Sequence, residues 1–274
     1  EVALSNLPRK QEIRSISQFG LSQVTVVLDD RVDIYAARQM VHERLAEARE
    51  ILPPGVMPEM APVSTGLGEI VQFTLLTGEN GPGLTELRTL LDWFIKPQLR
   101  TVPGVIEVNS YGGLEKQYEV LVDPMKLVGH GLSLRQVRDA LARNNFNVGG
   151  AYLERGGEQQ LVRGVGFIRD EEDIRNIVLS AEGGTPVCVK DVADVTVGPA
   201  IRQGAVTRNG KGEAVIGITM LLMGENGRVV VQRAKDRLEQ VQKTLPAGTR
   251  LIGFLDRSAL INRTLSTATK NLVE

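Results

Sequence analysis

Apolar and polar residues alternate along the first part of the chain with the periods of two strands, a helix and a further strand. Strands are predicted at Glu12–Phe19 and Leu21–Leu28, and a helix over Asp33–Ile51 has apolar residues at helical spacing. A Pro-Pro-Gly sequence ends this helix, and Met57–Val63 is predicted to be a strand. The order β–β–α–β is that of a split βαβ unit that lacks its opening strand and most of its first helix.

A second unit starts, is interrupted and then resumes. Its predicted elements, in chain order, are the strand Ile70–Thr77, the helix Leu84–Val102, the strand Val105–Tyr111, the strand Ala214–Leu222, the helix Gly227–Leu245 and the strand Thr249–Leu255. Pro97 lies inside the first of these helices and predicts a kink or an early end there. Gly112-Gly113 follows the second strand, and we interpret this pair as the point where the chain leaves the unit.

The residues between the two halves have a different pattern. Tyr118–Val122 is predicted to be a strand, and Ser133 is a good N-cap for a helix over Leu134–Arg143. Two short strands, Ala151–Arg155 and Gln159–Arg163, flank a Gly-Gly-Glu turn, and this hairpin has so little apolar surface that we expect an exposed arm.

The chain returns to the second unit through a predicted hairpin of Gln203–Thr207 and Ala214–Leu222 around Asn209-Gly210. The predicted fold class is therefore α+β. It comprises ferredoxin-like split βαβ subdomains, of which the first is truncated, and an inserted α+β subdomain.

Composition narrows the classes of function. Lys and Arg total 32 against 33 Asp and Glu, a net charge of −1, so the basic excess expected of a nucleic-acid-binding protein is missing. No run of about 18 apolar residues is present, and neither is a signal peptide. Cys188 is the single cysteine and cannot form an internal disulfide. Because the chain starts without Met and stops inside an amphipathic segment, we expect it to be cut from a longer polypeptide.

No catalytic constellation is found. The two histidines have no plausible nucleophile nearby in the predicted fold, and no glycine-rich phosphate-binding motif opens a helix after a strand. Acidic clusters at Asp29-Asp30-Asp33 and Asp170–Asp173 precede helices, where charge–dipole attraction explains them without a ligand. We therefore expect neither an enzyme nor a bound cofactor.

Methionine thioethers are the remaining candidate metal ligands. The pairs Met57 with Met60 and Met220 with Met223 each have a spacing of three, which in a strand places the two members on opposite faces. Methionines that only pack are the simpler interpretation, and the four residues stay as candidates for a metal site. His42 faces away from Met40 on the predicted helix.

Several stretches, in this order and spacing, resemble the heavy-metal efflux subfamily of resistance-nodulation-division (RND) transporters. They are EIRSISQFGLSQVTVV, ARQMVHERLAEAREILPPGV, STGLGEI, VPGVIEVNSYGG, QYEVLVDP and TPVCVKDVADVTVGPAIRQGAVTRNGKGEAV. The chain is similar to the first large periplasmic loop of these transporters, between transmembrane helices 1 and 2.

The resemblance implies a division into subdomains. Residues 1–63 correspond to a truncated porter subdomain PN1, 64–116 with 200–257 to the discontinuous porter subdomain PN2, 117–199 to the docking subdomain DN, and 258–274 to the lead-in to the second transmembrane helix. It also implies that the hairpin tip is an arm that reaches a neighbouring protomer. The arm residues are Glu154, Arg155, Gly156, Gly157 and Glu158.

The resemblance further implies a homotrimeric, proton-driven exporter of metal cations in the bacterial inner membrane. Its partners would be a periplasmic membrane-fusion adaptor and an outer-membrane channel. The family's proton-relay acids lie in membrane helices, and its methionine sites lie mainly in a second periplasmic loop, so this portion alone is not expected to transport. Two alternatives stay open: a periplasmic module that itself captures metal, and the same portion of a drug-exporting pump.

Overall fold

Two separately packed units make up the chain. The computed structural model describes residues 1–65, 68–78, 81–155, 158–181, 184–202 and 204–273. The first unit is Glu1–Val63 and the second is Ser64–Glu274.

The first unit consists of a 3-10 helix at Val2–Leu4, strands β1 (Lys10–Gln18) and β2 (Leu21–Leu28), and helix α1 (Ile34–Arg49). The strands form an antiparallel hairpin that turns at Gly20, where φ is +76°. Asp33 caps α1, since its carboxylate accepts hydrogen bonds from the N–H groups of Tyr35 and Ala36. Most side chains of the hairpin are exposed, including Ile16 and Phe19.

The predicted strand Met57–Val63 is wrong, because this segment has no strand in the structure. Pro58 and Pro62 both lie in it and have no N–H group to donate to a neighbouring strand. The segment is instead anchored to α1 by a side chain, since the guanidinium of Arg38 donates to the carbonyl of Ala61 at 2.7 Å.

The second unit contains most of the regular structure. In chain order its elements are β3 (Glu69–Thr77), α2 (α-helical at Leu84–Leu90 and Lys96–Arg100, π-helical at Leu91–Ile95), β4 (Val105–Gly112), β5 (Lys116–Val122), α3 (Pro124–Gly129), α4 (Leu134–Arg143), β6 (Val148–Arg155), β7 (Glu158–Gly164), α5 (Glu171–Arg175), β8 (Val178–Ser180), β9 (Val187–Cys188), α6 (Val189–Val192), β10 (Ala193–Pro199), β11 (Val215–Leu221), α7 (Gly227–Gln242), β12 (Thr249–Asp256) and α8 (Arg257–Val273).

Four strands form one antiparallel sheet in the order β12-β3-β11-β4. This is the order of a ferredoxin-like βαββαβ unit, so the predicted fold class is confirmed. Strand β11 follows the insertion, yet it lies between two strands that precede the insertion. One core cluster joins the sheet to α2 and α7. Its largest fully buried members are Phe73, Leu75, Leu91, Ile95 and Leu99.

Phe73 lies at the centre of this core and is fully buried. It is opposite Gly217 of β11 on one side and Gly253 of β12 on the other. The ring covers Gly217 so closely that a Cβ there would meet ring carbons at 2.2 and 2.7 Å, whereas a Cβ at Gly253 would meet nothing within 4 Å. The packing of Phe73 therefore requires a glycine on one flank only.

Helix α2 departs from α geometry one turn before Pro97. Lys96 donates its N–H to the carbonyl of Leu91, five residues back, which is the π-helical spacing. Pro97 itself has no N–H to donate to the preceding turn. The predicted kink or early end thus takes the form of a π-helical turn, and the helix continues to Arg100.

The insertion forms a lobe with its own core. Strands β5 and β10 pair along their whole lengths, from Lys116 opposite Pro199 to Val122 opposite Ala193. A second core cluster lies beneath them; it comprises Leu127, Leu132, Val137, Ile174, Ile177, Val189, Val192, Ala193 and Val195. Strands β6 and β7 pair with each other, and the side chains of Val148 and Tyr152 on β6 are exposed.

The predicted return hairpin is confirmed at its turn and not along its first strand. Asn209 and Gly210 both have positive φ, +52° and +66°, as a type I′ turn requires. Gln203 lies outside the described residues, and within 204–213 only a single bridge, from Thr207 to Glu213, is found.

The end of β12 is joined to both α7 and α8 through Asp256. Its carboxylate accepts hydrogen bonds from the Lys235 ammonium at 2.8 Å and from the Ser258 N–H at 2.7 Å. Partial burial acts to raise the pKa of Asp256, but the hydrogen bonds from Lys235 and Ser258 outweigh it and lower the pKa below the ordinary 3.8. The hydrogen bond to Asp256 is also the main reason why the pKa of Lys235 is raised.

Replacing Gly217 by Ala should destabilise the chain by about 1–3 kcal/mol, because the added methyl group displaces the ring of Phe73. Gly253→Ala is the matched control, since it also flanks Phe73 but adds its methyl group to open space. Urea unfolding of both variants is the measurement. Equal losses of stability in the two variants would contradict the packing described for Phe73.

Replacing Asp256 by Asn should cost about 1 kcal/mol of unfolding free energy at pH 7, since it removes the charge from a half-exposed ion pair and helix cap. The lowered pKa of Asp256 means that its contribution is complete above pH 3.8 and is lost as the pH falls through the folded-state pKa. The raised pKa of Lys235 means that the contribution is lost again when the pH rises above 10.5. Urea titrations of wild type and variant across pH should therefore converge at both extremes, whereas Asp236→Asn, on the exposed side of α7, should differ little from wild type at any pH.

Candidate functional site

One face of the four-stranded sheet packs on α2 and α7, and the candidate site lies on the opposite face. Along β11 the side chains alternate, so Val215, Gly217 and Thr219 face the helices while Ile216, Ile218 and Met220 face away from them. Residues directly opposite one another on antiparallel strands share a face. Three rows of side chains therefore cross the helix-free face. They are Tyr111–Ile216–Thr74, Asn109–Ile218–Gln72 and Glu107–Met220–Glu69.

The third row, which we call the acidic row, places Met220 between two carboxylates. Met220 is opposite Glu107 of β4 on one side and Glu69 of β3 on the other. In antiparallel sheets the Cα atoms of opposite residues lie about 4.5–5.5 Å apart. Glu69 and Glu107 therefore lie on either side of Met220, with their Cα atoms about 9–11 Å apart.

Irregular pairing produces this row. Thr219 is opposite Val71 and the next residue, Met220, is opposite Glu69, so Ile70 is an extra residue in β3. Ile70 and Val71 are both buried in the core, which leaves Glu69 for the helix-free face. On the other side Met220 is opposite Glu107 while Leu221 is opposite Val105, which makes Ile106 the extra residue of β4.

The acidic row is half-buried and partly oriented. Glu69, Glu107 and Met220 all have intermediate exposure. The side-chain amide of Gln72 donates to one oxygen of the Glu69 carboxylate at 2.8 Å, which restrains that carboxylate. A carboxylate pair next to a polarisable sulfur suits a metal cation better than an organic substrate.

Sequence inspection did not identify Glu69 and Glu107. Neither belongs to a motif, and they are separated by a strand, a loop and the whole of α2. Strand alternation does place Glu107 with Asn109 and Tyr111 on one face of β4. Their approach to Met220, however, follows from the strand register and its two bulges, which the sequence does not reveal.

Of the four predicted metal candidates, Met57 and Met60 lie in the first unit and Met220 and Met223 lie in the second. Met57 is 80% exposed and belongs to no strand, so the argument from opposite strand faces does not apply to Met57 and Met60. Met220 lies in β11, whereas Met223 lies beyond its end and is exposed. In the part of the chain that the structure describes, no group of three or more His, Cys, Asp and Glu side chains could hold a metal ion.

Each acidic cluster includes the N-cap of the helix that follows it, Asp33 for α1 and Asp170 for α5, which agrees with the predicted placement at helix N-termini. Asp29 accepts from the N–H of Arg31 at 2.9 Å, and Asp170 accepts from the N–H of Asp173 at 3.0 Å. His42 and His130 are both exposed.

The predicted arm is the hairpin β6–β7. Glu154 is opposite Gln159 and accepts a hydrogen bond from its side-chain amide at 3.1 Å, and Arg155 is opposite Glu158. Glu154 and Glu158 are both exposed, so acidic groups flank the tip. Gly156 and Gly157, which the prediction placed at the turn, lie outside the described residues.

No helix among the described residues combines the length and the apolar character that a membrane span requires.

Comparison with known proteins gives a consistent result. The sequence matches the AcrB/AcrD/AcrF family over residues 1–274. It is 49% identical to Protein HelA of Legionella pneumophila over 279 residues, 43% identical to the cobalt-zinc-cadmium resistance protein CzcA of Cupriavidus metallidurans over 281, and 39% identical to the cation efflux system protein CusA of Escherichia coli over 270. These alignments cover 98–100% of this chain and 26% of each relative, so the chain spans about a quarter of their length.

The fold is similar to that of a solved transporter as well. A crystal structure of a heavy metal efflux pump superimposes with a TM-score of 0.87 at 34% sequence identity, over 99% of this chain and 27% of that one. The resemblance drawn from the sequence is confirmed by these matches.

Proposed function

The chain belongs to the AcrB/AcrD/AcrF family, and we propose that it is the periplasmic porter and docking portion of a proton-driven heavy-metal cation exporter in the bacterial inner membrane. The names of the relatives support the cargo, since two of them are a cobalt-zinc-cadmium resistance protein and a cation efflux system protein. In this proposal the chain has no catalytic role, and the proton-conducting groups belong to parts of the polypeptide outside these 274 residues.

The subdomain boundaries form part of the proposal. Residues 1–63 are the truncated PN1, 64–116 with 200–257 form PN2, 117–199 form DN, and 258–274 lead to the second transmembrane helix. Two features support this division: the four-stranded sheet draws strands from both sides of the insertion, and the inserted lobe has a core cluster of its own.

The acidic row is the observation that supports a metal cation as the cargo. Glu69, Met220 and Glu107 are adjacent across three strands on the helix-free face of the sheet. We infer that they are transient ligands of the exported cation. Because two carboxylates outnumber one thioether, the row favours a divalent cation such as zinc or cobalt over silver(I), which prefers sulfur.

The row alone has few donors for a tightly bound metal ion. Structural zinc sites usually have four ligands, and a transport site must also release its cargo. Glu107 lies on β4, the edge strand of the sheet, so a further ligand from elsewhere in the full-length protein can approach it from the open side. We therefore expect this chain to contribute part of a site and to bind metal weakly when isolated.

Zinc binding by the purified full-length protein, measured by isothermal titration calorimetry, tests the acidic row. Glu69→Gln and Glu107→Gln should each weaken zinc binding by about tenfold or more, because each removes a charged ligand without changing side-chain volume. Met220→Leu should weaken silver(I) binding more than zinc binding, since it removes the soft donor. Met125→Leu, at an exposed methionine of α3 that is not among the candidate ligands, serves as the control and should change the affinity for neither ion.

The outcomes separate the three functions considered. If the isolated chain binds zinc as tightly as the full-length protein does, it is a metal-capturing module in its own right. If no substitution in the acidic row alters zinc affinity or export, the row is not on the cation path. A drug-exporting relative would be indicated by export of organic cations that survives Glu69→Gln.

We also propose that the β6–β7 hairpin is the arm that contacts a neighbouring protomer in a homotrimer, beside a membrane-fusion adaptor and an outer-membrane channel. A two-stranded ribbon is marginally stable on its own, and Val148 and Tyr152 of this ribbon are exposed, so an external contact would explain it. Charge reversal of the exposed acids in Glu154→Lys/Glu158→Lys should shift the purified full-length protein from trimer to monomer in native mass spectrometry. Reversal of Glu43, an exposed acid on α1, is the control; an unchanged trimer in both variants would contradict the arm contact.

A further inference from the structure

The inserted lobe leaves the four-stranded sheet through two consecutive glycines in a conformation that other residues avoid. Gly112 ends β4 and Gly113 follows it, and φ is +70° at both. Glycine populates this region as readily as negative φ, whereas an L-residue is strained there. Two such residues in succession are the part of the exit that only glycine can form without strain, and Gly112 packs against Val206 and Ala214 of the returning chain.

One arginine of α2 holds this point in place. Arg88 donates from Nη1 to the carbonyl of Gly112 at 2.8 Å and from Nε to the carboxylate of Asp92 at 2.6 Å. The side chains of Arg88 and Asp92 are only 20% and 23% exposed. Asp92 therefore fixes the plane of the guanidinium, and the guanidinium fixes the last peptide group of the sheet before the exit. We call Arg88, Asp92 and the Gly112 carbonyl the exit brace.

Close packing surrounds the next residue. A Cβ at Gly113 would lie 2.7 Å from a methyl group of Val215, 3.0 Å from the Cβ of Arg88 and 3.1 Å from the carbonyl oxygen of Leu84. The exit therefore passes directly under the N-terminal turns of α2, on the helix that carries the exit brace. A rotation at the glycines would have to separate Gly113 from α2.

The lobe continues from the exit as a two-stranded stem. The pairing of β5 with β10 begins at Lys116 and Pro199, and the N–H of Ala200 donates to the carbonyl of Glu115 at 2.8 Å. The segment that leaves the sheet and the segment that returns to it are thus hydrogen-bonded to each other at the base of the stem. The return to β11 runs through residues 201–214, in whose described part Ala214 donates its N–H to the carbonyl of Val206 at 2.8 Å and Arg202 forms an ion pair with Glu213.

We propose that Gly112-Gly113 is a hinge for the inserted lobe and that the exit brace is the lock that sets its angle. With the lock in place the stem follows α2 and the sheet. With the lock broken, the stem swings about the two glycines while the cores of the sheet and of the lobe stay folded, because neither core includes Arg88 or Asp92. The proposal concerns motion between the lobe and the sheet and does not depend on which cation is exported.

Hydrogen exchange of the full-length protein tests the lock. Arg88→Met keeps much of the apolar stem and removes every donor, and Asp92→Asn keeps the shape and removes the charge. In both variants the amides of residues 113–116 and 200 should exchange about tenfold faster or more, while those of β3, β11 and α7 keep their wild-type rates. The exchange rates of Arg88→Lys should lie between those of wild type and Arg88→Met, since one ammonium cannot reproduce the two-point geometry of the guanidinium.

A distance measurement gives an independent readout. Spin labels introduced at Gln240 on α7 and at Arg135 on α4, both exposed, should give a broader distance distribution in Arg88→Met than in wild type. Arg44→Met, which breaks an exposed ion pair with Glu47 on α1, is the control and should leave the distribution unchanged.

The results decide between three outcomes. Faster exchange confined to the joint, with a broader distance distribution, supports the lock. Faster exchange spread equally over β3, β11 and α7 would show that Arg88 merely stabilises the porter fold and would overturn the proposal. Unchanged exchange and unchanged distances in both variants would also overturn it, because the packing around Gly113 would then hold the lobe without the brace.

Discussion

The sheet of the second unit depends on the insertion of β11 between β3 and β4. Among the described strands, β11 is the one that bonds to both β3 and β4, and it comes after the whole insertion. Without it, β4 has no partner in the sheet, and Phe73 loses the glycine surface on which its ring lies. The hydrophobic core, the helix-free face and the exit to the lobe are therefore all completed by the same seven residues, Val215–Leu221.

This placement links the candidate site to the joint. Strand β4 carries Glu107 near its start and Gly112 at its end, and five residues of strand span about 16 Å. The acidic row and the exit brace thus lie at opposite ends of one edge strand that is bonded on a single side. The attachment of the lobe and the position of Glu107 therefore both depend on the backbone of β4.

Much of this architecture could be predicted from the sequence because local patterns coincide with the final contacts. The strand at Leu21–Leu28, the cap at Ser133 and the Asn209-Gly210 turn are each determined by residues within a few positions. The predicted strand at Met57–Val63 is wrong because the segment contains two prolines, which cannot donate an N–H to a neighbouring strand. Prediction from the sequence also missed Glu69 and Glu107, because their proximity to Met220 arises from two bulges in strands far apart in sequence. The period-two alternation of a strand predicts on which face of the sheet a residue lies, but it does not predict which residue lies opposite it on the neighbouring strand.

The contact between Ala200 and Glu115 bears on how such a chain folds. Joining β4 directly to β11 in an unfolded chain means closing a loop of about a hundred residues, and the entropic cost of closure rises with the logarithm of loop length. Once the lobe has folded, its two ends are held 2.8 Å apart at that hydrogen bond, and the remaining loop is short. The effective length falls severalfold, which lowers the closure cost by roughly 1–2 kcal/mol. A folded lobe whose two ends are in contact therefore adds little more to the closure entropy than a turn does. Folding of the lobe before the sheet is thus the faster route to pairing β11 with β3 and β4, which precede the lobe in the chain.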